Sequence, residues 1–342
     1  MRFAIALLAL LVAACSRPVP EGMTLLTYAT PYAPSHPFSR ADIRWMEYVH
    51  KQSGGTLRIR PLWSGAVLSS DMSMEELRHG VADIGLVTPI YVRGGTHLIR
   101  TQSGFYSGVS GFENQVALYR CLERTLPQIG RELAGLRVLA VQGGDNPGII
   151  TRDRPVERIE QLRGMRIRAP VELLSLLETL GADPVNLPMG EVYSAMAKGV
   201  IDGVIAPPDT FRAMHFADVA NFYTALTVPR GAYPARAMSE QAWDGLSEEH
   251  RDLLLRSTRV WEAALAAEIA LAAQSGMEEA LANGVTVFAV PAEEQRRFDA
   301  LYLRQAAASA AELAAFGIDG EQAFKTARAS ITRDGISCSR GI

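Results

Sequence analysis

The sequence predicts an α/β protein that consists of two lobes. Strand and helix patterns alternate over residues 23–88, and a second alternation of the same kind covers residues 162–211. Between them, Gly143–Gly148 is rich in turn-forming residues, and Phe222–Val228 is a candidate segment for the return to the first lobe. Two close crossovers of this kind suit a hinge, in which a few residues absorb a large change in dihedral angles.

The first lobe is predicted from hydrophobic periodicity. Residues 82–88 are almost continuously apolar, which is typical of a parallel strand that is covered on both faces. The predicted strands are Met23–Thr30, Thr56–Leu62, Ala82–Thr88 and Leu136–Gln142, and the predicted helices are Phe38–Gln52, Met74–His79 and Phe112–Leu133, the last interrupted at Pro127.

Two loops of this lobe are candidate walls of a ligand pocket, because ligands of open α/β sheets bind beyond the carboxyl ends of the strands. These loops follow the first and third strands. Their hydrogen-bonding side chains are Tyr32, His36, Thr88 and Tyr91, although each could also be an ordinary loop or core residue. His36 has no His, Cys or Asp nearby at the spacing of a metal site, so we expect no metal there.

The second lobe is predicted from the stretch around residues 162–211. Met165–Arg168 is a short strand whose alternation puts Met165 and Ile167 on one face, and Arg166 and Arg168 on the other. Further segments predict helices at Glu172–Leu180, at 190–198 and at Asp209–Ala217, and strands at Pro184–Pro188 and Ile201–Ile205.

The last large feature is a long helix between Leu246 and Gly284. Ser247 is a good N-cap, Gly284 is a good residue after the C-cap, and almost every residue between them is a strong helix former. A helix of about 36 residues would be ~54 Å long, longer than either lobe. The absence of a sustained heptad pattern disfavours a coiled coil. A strand at Val285–Val290 and helices at Ala292–Ala315 and Gln322–Ala329 follow.

Three sequence blocks in the second lobe carry a resemblance to a known family. The blocks G-M-R-I-R, G-A-x-P-V and E-V-Y-x-A-M-x-x-G-V-I-D-G resemble the extracytoplasmic substrate-binding proteins of TRAP (tripartite ATP-independent periplasmic) transporters. The resemblance implies a two-lobed periplasmic-binding-protein fold with a long helix spanning both lobes. It implies further that the lobes close on a small organic acid and deliver it to the membrane subunits of a permease.

The resemblance also implies a role for the last arginine of the first block, Arg168, which would form a bidentate salt bridge with the ligand carboxylate. Arg166 lies on the same predicted strand face, and only the register of the family motif favours Arg168. The predicted crossovers place lobe I at 23–145 plus about 230–272, lobe II at 146–229 plus about 273–330, and a C-terminal tail at 331–342.

Departures from the family pattern indicate the ligand class. Gly148 stands where many members have a second ligand-binding arginine, Ala206 replaces an amide that would contact the ligand, and Met189 replaces an aromatic residue. These changes predict a monocarboxylate with an apolar or aromatic body rather than a dicarboxylate, a sialic acid or a uronate.

Asn146, in the first crossover, is a further candidate for ligand contact. Glu191 and Asp202 are interpreted as structural, at a helix start and a strand turn.

The N-terminus is typical of a lipoprotein signal peptide over residues 1–15. Phe3–Val12 is apolar but too short to span a bilayer, and Cys15 fits the position of the lipidated cysteine. Ordinary cleavage after Ala14 is the alternative. Ser16–Gly22 would be a tether, and the lipid would be the only membrane contact of a periplasmic protein. In that oxidising compartment, the remaining Cys121 and Cys338 form either a disulfide or two separate thiols.

Composition and motifs exclude several other functions. The 342 residues carry a net charge of −3, so the sequence shows no basic footprint for nucleic acid. It contains no G-x-S-x-G, H-E-x-x-H, P-loop or G-x-G-x-x-G motif, so we expect neither an enzyme nor a cofactor. We expect a monomer. The alternative function is a binding protein that serves a sensor or another importer.

Overall fold

The computed structural model describes residues 22–92 and 94–338, so the predicted signal peptide with Cys15 and most of the tether lie outside the described residues. The strands are β1 (Thr24–Ala29), β2 (Leu57–Leu62), β3 (Ile84–Leu86), β4 (Leu136–Gln142), β5 (Gly148–Thr151), β6 (Arg166–Arg168), β7 (Asp183–Val185), β8 (Gly203–Ala206), β9 (Phe222–Thr224), β10 (Tyr233–Ser239), β11 (Thr286–Phe288), β12 (Ile331–Thr332) and β13 (Gly335–Ile336). The α-helices are α1 (Pro37–Gln52), α2 (Ser73–Arg78), α3 (His97–Gln102), α4 (Phe112–Thr125), α5 (Pro127–Glu132), α6 (Leu174–Thr179), α7 (Met189–Ala197), α8 (Thr210–Ala213), α9 (Glu240–Asp244), α10 (Glu248–Ala282), α11 (Ala292–Glu312) and α12 (Gly320–Ser330).

Two mixed sheets form the centres of the two lobes. The first has the order β2-β1-β3-β10-β4, with β10 antiparallel to its neighbours, and the second has the order β11-β9-β5-β8-β6-β7. Each sheet separates two hydrophobic clusters, because successive side chains of a strand point to opposite faces. The predicted two-lobed α/β fold is confirmed.

Two short segments, 143–147 and 225–232, connect the sheets. They touch each other, since the Val228 backbone N–H donates a hydrogen bond to the Pro147 carbonyl at 3.0 Å. The sequence placed Gly148 and residues 222–224 in the crossovers, but these residues form β5 and the strand β9 in the second sheet. The first crossover is therefore one residue shorter than predicted, and the second begins three residues later in the sequence than predicted.

The long helix α10 spans both lobes as predicted. Its first turn is capped by Ser247, whose side chain accepts a hydrogen bond from the His250 backbone N–H. In its first half, Trp261 stacks on Trp45 of the first lobe with ring centroids 3.6 Å apart. Near its end, Ala280 lies in a core cluster of the second lobe. None of the helices within residues 22–92 and 94–338 is long and apolar enough to cross a membrane.

The C-terminal segment is fixed to the first lobe by a covalent bond. Cys121 of α4 and Cys338 are joined by a disulfide, and the strands β12 and β13 form a hairpin just before Cys338. The sequence left open whether these two cysteines pair, because it does not give the distance between their Cα atoms, which is 5.2 Å.

Gly276 allows α10 to approach the second lobe. A Cβ at this position would lie 2.1 Å from the carbonyl oxygen of Pro208 and 2.9 Å from the Cα of Asp209. Both atoms belong to backbone, which cannot turn away as a flexible side chain does. The glycine therefore sets the distance between the helix and the loop that carries Asp209.

We predict that Gly276→Ala lowers the free energy of unfolding by about 1–3 kcal/mol, because the added methyl group forces the helix and the loop apart. Gly190→Ala in α7 is the matched control, since a Cβ there meets no atom within 4 Å. That variant should be unchanged or up to about 1 kcal/mol more stable. Urea unfolding of both variants measures the difference, and a Gly276→Ala protein as stable as the wild type would contradict the close approach.

Candidate functional site

The cleft between the two lobes contains an outer cavity of about 980 Å³ and an inner cavity of about 120 Å³. Both lobes contribute to each cavity. The residues that line both are Tyr32, His36, Thr88, Tyr91, Met189, Asp209 and Met214. Five of the residues predicted from the sequence, Tyr32, His36, Thr88, Tyr91 and Met189, are thus brought together where the two cavities meet.

Arg168 is the last residue of β6 and lines the inner cavity. It is only 3% exposed. Its Nε donates to the Leu187 carbonyl at 2.9 Å, and its Nη2 donates to the Tyr91 hydroxyl at 2.6 Å, across the cleft. Both acceptors are neutral, and Arg168 takes part in none of the ion pairs of the described chain. It is therefore a buried cation without an ion pair in the described chain, and the carboxyl of Glu172 in the same cavity is the acidic group on which its charge acts.

Arg166 lies on the same strand face but at the other end of β6. Its guanidinium forms an ion pair with Asp202 at 2.8 Å, and its side chain is 43% exposed. The carboxylate of Asp202 also accepts the Arg166 backbone N–H at 2.7 Å, which agrees with a structural role for Asp202. Position along the strand, rather than strand face, separates the two arginines.

His36 and Tyr32 form the aromatic wall of the first lobe. Their rings stack with centroids 4.0 Å apart. His36 is also the N-cap of α1, since its Nδ1 accepts a hydrogen bond from the Phe38 backbone N–H at 3.2 Å. Burial lowers the pKa of His36 to about 3, so the ring is neutral and its proton is on Nε2. The wall therefore offers a neutral donor rather than a second cation.

Several polar residues of the inner cavity were not predicted from the sequence. The ionisable ones are Glu172, Asp209, Arg230 and Tyr233, and Ser103 and Thr210 add hydroxyl groups. Burial raises the pKa of Glu172 to about 7 and that of Asp209 to about 6. Each carboxyl group is therefore easily protonated near neutral pH.

Arg230 brings a second guanidinium to the cavity from the second crossover. Space for it comes from Gly144 in the first crossover, where a Cβ would lie 2.4 Å from the Arg230 Cζ. Gly148 has no room for a side chain, because a Cβ there would lie 2.5 Å from the Tyr223 ring. The inner cavity therefore keeps a second arginine, which comes from the second crossover and not from position 148 as in many members of the family.

Two predicted ligand contacts do not line either cavity. Ala206 is 1% exposed and packs in a core cluster with Phe211, because the alternation of β8 turns Ile205, and not Ala206, towards the inner cavity. Asn146 has its Oδ1 buried within the protein, and its neighbour Pro147 lines the cavity instead. Both assignments stay predictions that the linings of the two cavities do not support, because sequence position does not give side-chain direction at a strand end or in a crossover.

Metal-ligating side chains do not cluster in the described part of the chain, where no group of three or more His, Cys, Asp and Glu residues could hold a metal ion. The side chains that line the cleft offer guanidinium, carboxyl, phenol, imidazole and hydroxyl groups on an apolar background.

We predict that Glu172→Gln becomes more stable relative to the wild-type protein as the pH rises from about 5 to about 8. The pKa of Glu172 is about 7 in the folded protein and 4.5 in its ordinary state. Between pH 4.5 and about 7, the folded state therefore holds a proton that the unfolded chain has lost. The stabilisation of the wild-type folded state by this proton is lost as the pH rises through 7. The expected difference is on the order of 2 kcal/mol.

Urea unfolding across this pH range measures the difference between Glu172→Gln and the wild type. Glu191→Gln is the control, because Glu191 is exposed at the mouth of the cleft. A stability difference between Glu172→Gln and the wild type that stays constant with pH would show that Glu172 does not titrate in this range.

Comparison with known proteins places this geometry among binding proteins. The model of the DctP family, described as bacterial extracellular solute-binding protein, family 7, matches residues 28–311. A solute-binding protein of Albidiferax ferrireducens is 28% identical over 220 residues, which cover 60% of this chain and 62% of the relative. The chain thus spans about three fifths of the length of that relative.

Solved structures show the same fold. A TRAP solute-binding protein from Rhodoferax ferrireducens in complex with copurified benzoate superposes with a TM-score of 0.82 and 22% identity, covering 90% of this chain and 97% of that one. A TRAP periplasmic solute-binding protein from a Sulfitobacter species with bound β-D-galacturonate gives a TM-score of 0.71 and 17% identity, covering 88% and 99%.

Proposed function

Because this chain belongs to the DctP family of bacterial extracellular solute-binding proteins, the binding proteins of TRAP transporters, we propose that it captures a small organic acid and delivers it to the membrane subunits of a permease. Proteins of this family are periplasmic, and they bind solutes rather than transform them. We accordingly propose a binding function without catalysis for this chain.

The observation that carries the proposal is the buried and unpaired cation in the cleft. Removing a guanidinium from water is costly unless an anion and hydrogen bonds compensate for the loss. Arg168 has neutral acceptors on both sides and faces the inner cavity. A carboxylate in that cavity would complete the site, since the planar guanidinium matches it with two parallel hydrogen bonds.

The size and lining of the inner cavity support a small acid with an apolar or aromatic body. An apolar cavity of about 150 Å³ holds one benzene ring, and the inner cavity has a similar volume of about 120 Å³. Its apolar lining consists of Phe38, Ile90, Pro147, Pro170, Leu173, Met189, Ile205, Pro207, Met214, Val228 and Pro229. Since one solved relative holds benzoate and another galacturonate, the fold leaves the ligand open, and we propose the class from this lining.

Closure of the lobes would link binding to transport. Arg168 belongs to the second lobe and Tyr91 to the first, so the anchor of the ligand is also a contact between the lobes. A ligand that binds the closed state more tightly shifts the equilibrium by that difference in affinity. We propose that the permease recognises the closed form.

The cleft is complete within one chain, which supports a monomer.

We also propose that Cys15 anchors the protein to a membrane through a lipid. The support is the sequence pattern of the N-terminus.

We predict that Arg168→Ala abolishes the thermal stabilisation by the cognate acid, because the carboxylate loses its partner. A ligand at a hundred times its dissociation constant adds about 2.7 kcal/mol, which is visible as a rise in Tm. The measurement is a thermal-shift screen of the Ser16–Ile342 chain against aryl and alkyl monocarboxylates, dicarboxylates and uronates.

Arg166→Ala is the matched control, since this arginine of the same strand is paired with Asp202 and should leave the ligand shift in place. Ligand-induced Tm shifts that persist in Arg168→Ala would show that another residue of the cleft binds the carboxylate. Stabilisation by dicarboxylates or uronates alone would overturn the proposed ligand class.

A further inference from the structure

The inner cavity contains a second polar group whose partner is missing. Glu172 is the fourth residue after Arg168 and lines the same cavity. Its Oε2 is shielded from solvent and has no hydrogen-bond partner among residues 22–92 and 94–338. Glu172 also takes no part in the ion pairs of that region. Buried polar atoms in native proteins nearly always have a partner, so this oxygen requires an explanation.

Three segments meet around Glu172. Glu172 belongs to the short 3₁₀ turn Val171–Leu173 of the second lobe. A Cβ on Gly104, which follows α3 in the first lobe, would lie 3.7 Å from the Glu172 Cβ and 4.0 Å from the Tyr302 hydroxyl of α11. That hydroxyl is also buried and lacks a partner in the described structure. The surroundings of Glu172 are thus assembled from both lobes and α11.

We propose that Glu172 is a specificity-determining residue that accepts a hydrogen bond from a hydroxyl or ammonium group on the body of the ligand. This inference rests on the proposed function and narrows it. The substrate class becomes small, largely apolar monocarboxylates that carry one such donor in addition to the carboxylate held by Arg168.

The selectivity follows from the cost of an unpaired group. If the lobes closed over an acid without a hydrogen-bond donor, the Glu172 oxygen would remain without a partner. A site built around such a group rejects the analogue that lacks the matching partner far more strongly than an apolar pocket rejects a missing methylene. Arg168 and Arg230 offset repulsion between Glu172 and the ligand carboxylate, since both positive charges act on Glu172.

Matched pairs of acids test this role by titration calorimetry. The probes are benzoate and phenylacetate, each compared with its ring-hydroxylated and aminomethyl derivatives. At pH 8, above the Glu172 pKa of about 7, at least one donor-bearing derivative should bind the wild-type protein about ten- to a hundredfold more tightly than its parent acid, the range for one hydrogen bond to a charged group.

Glu172→Met should remove that preference while the parent acid binds at least as tightly as before, because methionine has a similar length and no acceptor of this strength. Glu172→Gln separates the two kinds of donor. Its amide carbonyl should keep part of a preference for a hydroxyl group and lose a preference for an ammonium group. Glu191→Met at the mouth of the cleft is the matched control and should leave the ratio unchanged.

The possible failures are distinguishable. If no acid binds, or if binding does not depend on Arg168, the proposed function fails and this inference fails with it. If acids bind through Arg168 but no donor-bearing derivative is preferred, the inference alone is wrong. It is also wrong if the preference persists in Glu172→Met, since Glu172 and Tyr302 would then have a structural role only. Arg168-dependent binding of the parent acid shows that each variant is folded.

Discussion

The hydrogen bond from Arg168 to the hydroxyl of Tyr91 is the contact on which the cleft depends. It is 2.6 Å long and joins the end of a strand in the second lobe to a loop of the first. The two groups that accept hydrogen bonds from Arg168 are neutral, so its guanidinium remains a buried positive charge that an anion would stabilise. Arg166, the other arginine of this strand, lies outside the cleft and is already paired with Asp202.

A rigid network in the first lobe supports the wall opposite Arg168. Asp42 accepts hydrogen bonds from Trp261 at 2.8 Å and from Arg236 at 3.1 Å, and it also bonds to the Tyr28 hydroxyl. The ion pair of Asp42 and Arg236 is fully buried, so these hydrogen bonds are needed to offset its desolvation. Arg236 also lies 5.6 Å from the ring centroid of Phe38, the residue that His36 caps. The network thereby joins α1, β10 and α10 behind the aromatic wall.

Local patterns in the sequence were sufficient for the fold and for part of the site. The long helix was predicted from caps and composition, and the pocket loops were predicted because they follow strand ends in an α/β sheet. The choice between Arg166 and Arg168 could not come from strand alternation, since both lie on one face. It depends on which end of β6 reaches the cleft and on the partner Asp202, which is distant in sequence. Arg230 and Glu172 reach the cavity through contacts between segments that have no local pattern. The direction of the Ala206 side chain depends on the exact strand register, which the sequence does not give.

The most direct test of ligand binding by Arg168 is a crystal structure of the complex with an acid selected by the binding screen. We expect both carboxylate oxygens to lie within hydrogen-bond distance of the Arg168 guanidinium, at about 2.7–2.9 Å, with the apolar body in the inner cavity. A carboxylate bound to Arg230 or at the outer mouth, with Arg168 still bonded only to Leu187 and Tyr91, would contradict it.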